Sequence, residues 1–113
     1  APVRLYYTGW SSSTGEADWG LRPLFAGDKT PPSMYNISYY KNPTVDADIM
    51  KALGTTDRAE KTKLYTEVQE EIWKDAPWAF LVTEKLLYST SKQLTGMYVM
   101  PDANYFFEEI DLQ

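Results

Sequence analysis

The chain has 113 residues, enough for one modest domain, and its 43% hydrophobic and 24% charged residues are typical of a folded globular protein. Its net charge of −5 disfavours a nucleic-acid partner. Because the chain lacks both cysteine and histidine, disulfides, thiolate zinc sites and the usual general base are excluded, which is evidence against catalysis.

The first part of the chain predicts a strand that runs into a polar loop. Residues 3–8 alternate in the manner of a strand, and Gly9 ends the pattern. Trp10 is followed by the small residues SSSTG at 11–15. We expect free backbone N–H groups and short hydroxyls beside a large indole to form the ligand-facing edge of a binding domain. The alternative is a buried strand end followed by a flexible loop.

A short helix and a loop are predicted next. Residues 18–25 (DWGLRPLF) are compatible with a helix, which Gly20 and Pro23 limit to about two turns. Residues 27–40 contain two prolines and three tyrosines, and we expect a loop that its aromatic side chains hold in place.

Two longer helices follow. The first runs from Pro43 to about residue 53 and is ended by Gly54. The second runs to about residue 75; Thr56 or Asp57 can cap it, and Asp57 with Glu60 has the spacing of a capping box. Its apolar positions repeat every four residues: Leu64, Val68 and Ile72.

The pattern after Pro77 predicts strands. Residues 78–89 (WAFLVTEKLLYS) predict one long strand or two in succession. Glu84 lies in the middle of this apolar run, where an unpaired buried carboxylate is costly. It is therefore either a functional group or an outward-facing residue in contact with solvent.

Two short strands are predicted near the end of the chain, at 96–99 and 105–110, joined by a turn at Pro101-Asp102. A small acidic cluster lies at the second of them and could hold calcium or simply be solvated: Glu108, Glu109 and Asp111.

Several segments together carry a family resemblance: YYTGW, YYKNPTVDADIMKAL, TTDRAEKTKLYTEVQEEIWKDAPWAFLV and LTGMYVMPDANYFFEEIDL. In this order and at these spacings, the chain resembles the C-terminal part of bacterial extracellular solute-binding proteins, family 5, the peptide-, nickel- and glutathione-binding subunits of ABC importers. The resemblance covers essentially all 113 residues, and the ordered set carries it rather than any single motif.

The resemblance implies a mixed α/β (α+β) fragment of one lobe of a two-lobed type II periplasmic binding protein, with about three helices and four to five strands. Residues 1–113 would form a partial ligand-binding lobe with hinge-crossing and terminal strands. It also implies a periplasmic location, although no signal peptide is visible in this chain, and capture of glutathione or a short peptide. The permease of the importer would be a partner of the full-length protein, and neither enzyme activity, a cofactor nor a metal is expected. Without its facing lobe, the chain should expose apolar surface and dimerise, swap elements or be marginally stable.

The resemblance carries some individual positions over to this chain. It implies that the main chain of Gly9 and Trp10, together with Ser11, pairs with the ligand backbone. Peptide-binding relatives have an aspartate for the ligand's α-ammonium at the position of Ser13, and a hydroxyl cannot neutralise an ammonium.

The missing carboxylate must then come from elsewhere. The nearest candidates are Asp18, Glu16 and Glu84, or the opposite lobe. Tyr7 occupies the position of a cleft arginine of one relative, and Asn36 lies in a loop that approaches the cleft in relatives. The predicted ligand-binding residues are Tyr7, Gly9, Trp10, Ser11, Ser13, Asp18, Asn36 and Glu84.

Two other function classes are compatible with parts of the sequence. A carbohydrate-binding module would use Trp10 and Trp19 as stacking platforms, but it predicts a β-sandwich, and three helical patterns oppose that. A hydrolase would need an acid pair such as Glu16 and Asp18, or Glu108 and Glu109. Such closely spaced acids rarely reach the ~5–10 Å separation that glycosidases use.

Overall fold

A computed structural model describes residues 5–100 and 102–113. Its elements in chain order are α1 (Ala17–Phe25), α2 (Pro43–Gly54), α3 (Arg58–Asp75), β1 (Leu94–Thr95), β2 (Tyr98–Val99), β3 (Tyr105–Phe106) and β4 (Asp111–Leu112). The predicted mixed α+β class, with about three helices and four to five strands, is confirmed, since the described residues form three helices and four strands. In the described part of the chain, no helix is both long enough and apolar enough to cross a membrane.

The apolar core lies between the three helices. α2 packs against α3, and α1 contacts both. The main cluster of buried side chains consists of Leu24, Phe25, Ala26, Val45, Ile49, Val68 and Ile72. A smaller cluster of Ala52, Leu64 and Tyr65 is joined to it through Leu21. The predicted apolar stripe of α3 is therefore confirmed as core, and burial of each large side chain stabilises the fold by about 1.5–3 kcal/mol.

The start of α3 is capped as predicted, but only half of the capping box forms. The Asp57 carboxylate accepts hydrogen bonds from the backbone N–H groups of Ala59 (2.8 Å) and Glu60 (3.2 Å). The Glu60 carboxylate does not reach back to Asp57; it accepts a hydrogen bond from the Thr55 hydroxyl at 2.8 Å. The same hydroxyl accepts from the Asp57 N–H at 3.2 Å and so takes the place that the box assigns to Glu60.

The short strands form two separate antiparallel pairs. β2 pairs with β3 as predicted, with Tyr98 opposite Phe106, although both strands are shorter than expected. In the turn between them the Ala103 N–H donates to the Met100 carbonyl at 3.0 Å, whereas Pro101 lies outside the described residues. The pairing of β1 with β4, which puts Leu94 opposite Leu112, was not predicted.

Two strand predictions are wrong. Residues 5–8 and 79–91 have no regular secondary structure, and the first two residues of the predicted 3–8 strand lie outside the described part of the chain. A strand is stable only when a neighbour satisfies its backbone hydrogen bonds, and no described segment pairs with either stretch. The side chains of 79–91 are exposed, Leu87 to 88%, so the expected exposure of apolar surface is found.

Candidate ligand-binding site

Trp10 is the centre of an aromatic cluster built from three parts of the chain. Its ring centroid lies 6.1 Å from that of Trp19 in α1 and 5.1 Å from that of Tyr35 in the 27–40 loop. The Trp10 indole N–H donates a hydrogen bond to the Trp19 carbonyl at 2.8 Å. Trp10 therefore has a fixed position although 36% of its surface is exposed. Because the indole N–H is already bonded, the side chain of Trp10 can contact a ligand only with its ring face.

The main chain on either side of Trp10 is exposed, and its N–H groups have no partner within the described residues, whereas the Gly9 carbonyl accepts a hydrogen bond from the Thr8 hydroxyl at 3.2 Å. Among the described residues, the backbone N–H groups of Gly9, Trp10 and Ser11 donate no hydrogen bond. A Cβ placed on Gly9 would meet no atom within 4 Å, so this backbone is open to a neighbour. Buried backbone groups are nearly always paired, so a ligand that covers this segment must supply hydrogen-bond partners.

The hydroxyl-rich loop has an internal hydrogen-bond network that leaves Ser13 outside it. The Gly15 N–H donates to the Ser12 carbonyl at 3.1 Å, and the Ser12 hydroxyl donates to the Glu16 carbonyl at 2.7 Å. The Thr14 hydroxyl accepts from the Glu16 N–H at 3.2 Å. Within the described residues the Ser13 hydroxyl makes no hydrogen bond, and it lies exposed at the turn, where it can bind a ligand atom.

Asp18 is bound within the fold. Its carboxylate accepts three hydrogen bonds from the Arg22 guanidinium, from Nε at 2.8 and 3.1 Å and from Nη2 at 2.7 Å, and a longer one from the Tyr65 hydroxyl at 3.4 Å. The hydrogen bond to Asp18 raises the pKa of Arg22, and burial together with the nearby Asp18 charge raises the pKa of Tyr65 to about 12. These contacts tie α1 to α3, and a ligand ammonium would have to compete with Arg22 for Asp18.

Asn36 is fully buried and supports the 27–40 loop from within. Its amide NH₂ donates to the carbonyls of Ala26 (3.0 Å) and Tyr40 (2.8 Å). Its amide oxygen accepts from the Tyr40 N–H (3.1 Å) and the Ser38 hydroxyl (3.0 Å). All four hydrogen-bonding positions of the amide are used inside the protein, so a direct ligand contact by Asn36 stays a prediction that this arrangement does not favour.

The remaining predicted site residues lie away from these contacts. Tyr7 is 73% exposed in the irregular segment 5–8, and Glu84 is exposed in the 79–91 segment. Glu84 forms no hydrogen bond or ion pair with another described residue, and so the structure does not join it to the Trp10 cluster. In residues 5–100 and 102–113 no group of three or more acids is placed to hold a metal ion, which leaves the calcium alternative without support.

Tyr35 and Arg22 are residues of this region that the sequence did not reveal, and Trp19 was named only as a stacking platform of a carbohydrate-binding module. A spacing of four residues on a predicted helix could have indicated the pairing of Arg22 with Asp18. The contacts of Trp10 with Trp19 and Tyr35 join segments up to 25 positions apart, which no local pattern reports. The rings of Trp10 and Trp19 are tilted by 42° rather than coplanar. Together with the three helices, this contradicts the β-sandwich with a planar row of rings that a carbohydrate-binding module would need.

The comparison with known proteins gives one consistent result. No protein-family model matches the chain. The glutathione-binding protein GsiB of Pectobacterium atrosepticum is 60% identical over 110 residues, which cover 97% of this chain and 21% of the relative. The proteins of the same name from Salmonella typhimurium and Escherichia coli K12 are 53% identical over 111 residues, or 98% of this chain and 22% of each relative. The chain is therefore a homologue of the proteins named glutathione-binding protein GsiB and spans about a fifth of their length, which confirms the resemblance seen in its sequence.

Proposed function

We propose that this chain forms one wall of the ligand cleft in the periplasmic solute-binding subunit of an ABC importer, and that the ligand is glutathione or a related short peptide. The proposal is supported by relatives that are named for glutathione binding, which also favours a binding protein over an enzyme. The observation that carries it is the exposed main chain of residues 9–11, whose N–H groups are unpaired within the described residues beside an anchored Trp10.

The proposed contacts follow from what this segment offers. An extended ligand pairs its backbone with the main chain of Gly9, Trp10 and Ser11, in the way that a peptide adds to a strand edge. The Ser13 hydroxyl donates to a ligand oxygen, and Tyr7 borders the ligand at the other end of the segment. A second lobe that closes over the ligand excludes water, so each hydrogen bond to a charged ligand group contributes ~1.5–3 kcal/mol.

The charged ends of the ligand require groups beyond this segment. Glutathione carries two carboxylates and one ammonium, whereas Asp18 is already paired with Arg22. We therefore assign the ammonium to a carboxylate of the facing lobe or, within this chain, to Glu84. Asn36 acts by holding the loop that carries Tyr35.

A chimera tests the proposal. The 113 residues replace the homologous fifth of the Pectobacterium atrosepticum protein, and glutathione binding is measured by calorimetry beside the unaltered parent. We expect the chimera to bind within about tenfold of the parent, and the isolated 113-residue chain to bind at least about 100-fold more weakly because it lacks the other wall. A chimera that melts like its parent but takes up no glutathione would refute the function. Equal binding by the isolated chain would refute the divided cleft.

A matched pair of substitutions tests the main-chain contact. Ser11→Pro removes the backbone N–H, whereas Ser11→Ala keeps it and removes only the hydroxyl. If the main chain pairs with the ligand, the proline variant of the chimera loses about tenfold or more in affinity and the alanine variant much less. The opposite order would assign the contact to the side chain.

A further inference from the structure

Tyr35 lies against Trp10 although it comes from a different part of the chain. The two ring planes are tilted by 52°, and 53% of the Tyr35 surface is exposed. The Tyr35 N–H donates to the Pro23 carbonyl at 3.1 Å, and the next residue is the buried Asn36 with its four hydrogen bonds. Its ring is therefore presented to solvent from a backbone that is fixed on both sides.

We propose that Tyr35 contacts the ligand and, together with Trp10, receives the uncharged centre of a tripeptide, which in glutathione is the cysteine thiol. This inference rests on the proposed function and adds a binding residue and a ligand group to it.

The pairing of the ligand backbone with residues 9–11 determines which ligand residue lies beside Trp10. An extended α-linked tripeptide spans about 10 Å, the length that three residues such as 9–11 span when extended, because each extended residue advances about 3.3 Å; the γ-peptide bond of glutathione lengthens only its first residue. A ligand paired with these three residues therefore places its middle residue beside Trp10, at whose ring Tyr35 lies.

The chemistry of the rings favours the same group. The faces of aromatic rings carry partial negative charge and are unfavourable neighbours for the ligand's two carboxylates. They form favourable contacts with sulfur, which approaches an aromatic ring to about 5 Å. The Trp10 indole N–H is occupied by the Trp19 carbonyl, so this corner of the site can act on a ligand only through ring surface and the Tyr35 hydroxyl.

The test compares two ligands in the chimera: glutathione and γ-glutamyl-alanyl-glycine, which has the same charges but no sulfur. Tyr35→Ala is expected to weaken glutathione binding roughly two- to tenfold and to leave the alanine analogue nearly unaffected, so that the preference for the thiol disappears. Tyr35→Phe should bind like the unsubstituted chimera. The control is Tyr39→Ala, since Tyr39 is a tyrosine of the same loop with 62% exposure, and it should also leave binding unchanged.

The outcomes separate this inference from the function on which it rests. If the unsubstituted chimera does not bind glutathione, the proposed function fails and this inference fails with it. If the chimera binds and Tyr35→Ala changes nothing, only the role of Tyr35 is refuted. Equal losses for both ligands would refute the assignment of the thiol to these rings. Tyr35→Leu, which keeps apolar volume without a ring, replaces the alanine variant if the latter lowers the melting temperature.

Discussion

Replacement of Asn36 by alanine should destabilise the helical core strongly, because one buried side chain makes four hydrogen bonds. The bond to the Ala26 carbonyl is buried, and the other three are partly buried. Each net hydrogen bond stabilises a fold by about 0.5–1.5 kcal/mol, and a buried group left without its partner costs about 1–3 kcal/mol. Asn36→Ala should therefore lower the free energy of unfolding by about 3 kcal/mol, a large part of the ~5–15 kcal/mol of a typical domain.

Urea denaturation followed by circular dichroism at the helix band measures this loss. With a slope of ~1–3 kcal/mol per molar urea, the midpoint should fall by about 1–3 M. Ser33→Ala is the control, because Ser33 is an exposed residue of the same loop. If Asn36→Ala lowers the urea midpoint no more than Ser33→Ala does, the Asn36 amide does not hold the loop. If the substituted chimera is less stable but binds glutathione normally when folded, Asn36 supports the site without contacting ligand.

Three further changes test separate features of the fold. Asp57→Ala removes the cap of α3 and should lower the unfolding free energy by about 1 kcal/mol, measured by the same urea titration. The pKa of Tyr65 is raised from 10.0 to about 12, so the folded state holds the phenol proton more tightly than the unfolded state does. The contribution of this group to the unfolding free energy is therefore complete below pH 10 and is lost as the pH rises towards 12. Tyr65→Phe should therefore reduce the alkaline fall in unfolding free energy, by at most ~1.4 kcal/mol per pH unit; an unchanged pH profile would contradict this. Gly96 has a φ of +73°, and a Cβ there would lie 1.8 Å from the Glu109 carbonyl oxygen. Gly96→Ala should therefore abolish hydrogen-exchange protection in the two strand pairs, whereas Gly20→Ala, which meets no atom within 4 Å, should not.

The helices could be predicted from the sequence because their signals are local. The apolar repeat of α3, its cap at Asp57 and its end before Pro77 all lie within 20 residues of one another, and each agrees with the others. The same holds for α2, where Pro43 occupies the first turn and Gly54 the last position. Helix hydrogen bonds join residues of the same segment, so the residues of that segment contain most of the information that predicts a helix.

The site could be predicted only in part, for the opposite reason. Trp10 and the hydroxyl loop are candidates from their composition and from the family resemblance, and their contact with a ligand stays a prediction. The roles of Asp18 and Asn36 were not recognisable, because each depends on partners that fold next to it: Arg22 for the carboxylate and Tyr40 for the amide. Sequence alone marks such polar residues as candidate ligand groups, and only packing shows that their hydrogen bonds are already used.

The strand predicted at 78–89 does not form, and the chain as a whole leaves more surface exposed than a compact domain does. The structure exposes 8887 Å², whereas a compact folded chain of 13.0 kDa exposes about 6,300 Å². Its radius of gyration is 18.0 Å, against about 13 Å for a compact domain of this length. The difference in surface, roughly 2,600 Å², exceeds a standard protein–protein interface. Trp78 and Phe80 still pack on Phe25, at 5.0 and 6.1 Å between ring centroids, but the side chains of residues 81–91 are all exposed. This segment therefore forms no strand because no described residue offers its backbone and side chains a neighbour, and the chain spans only about a fifth of the length of the relatives.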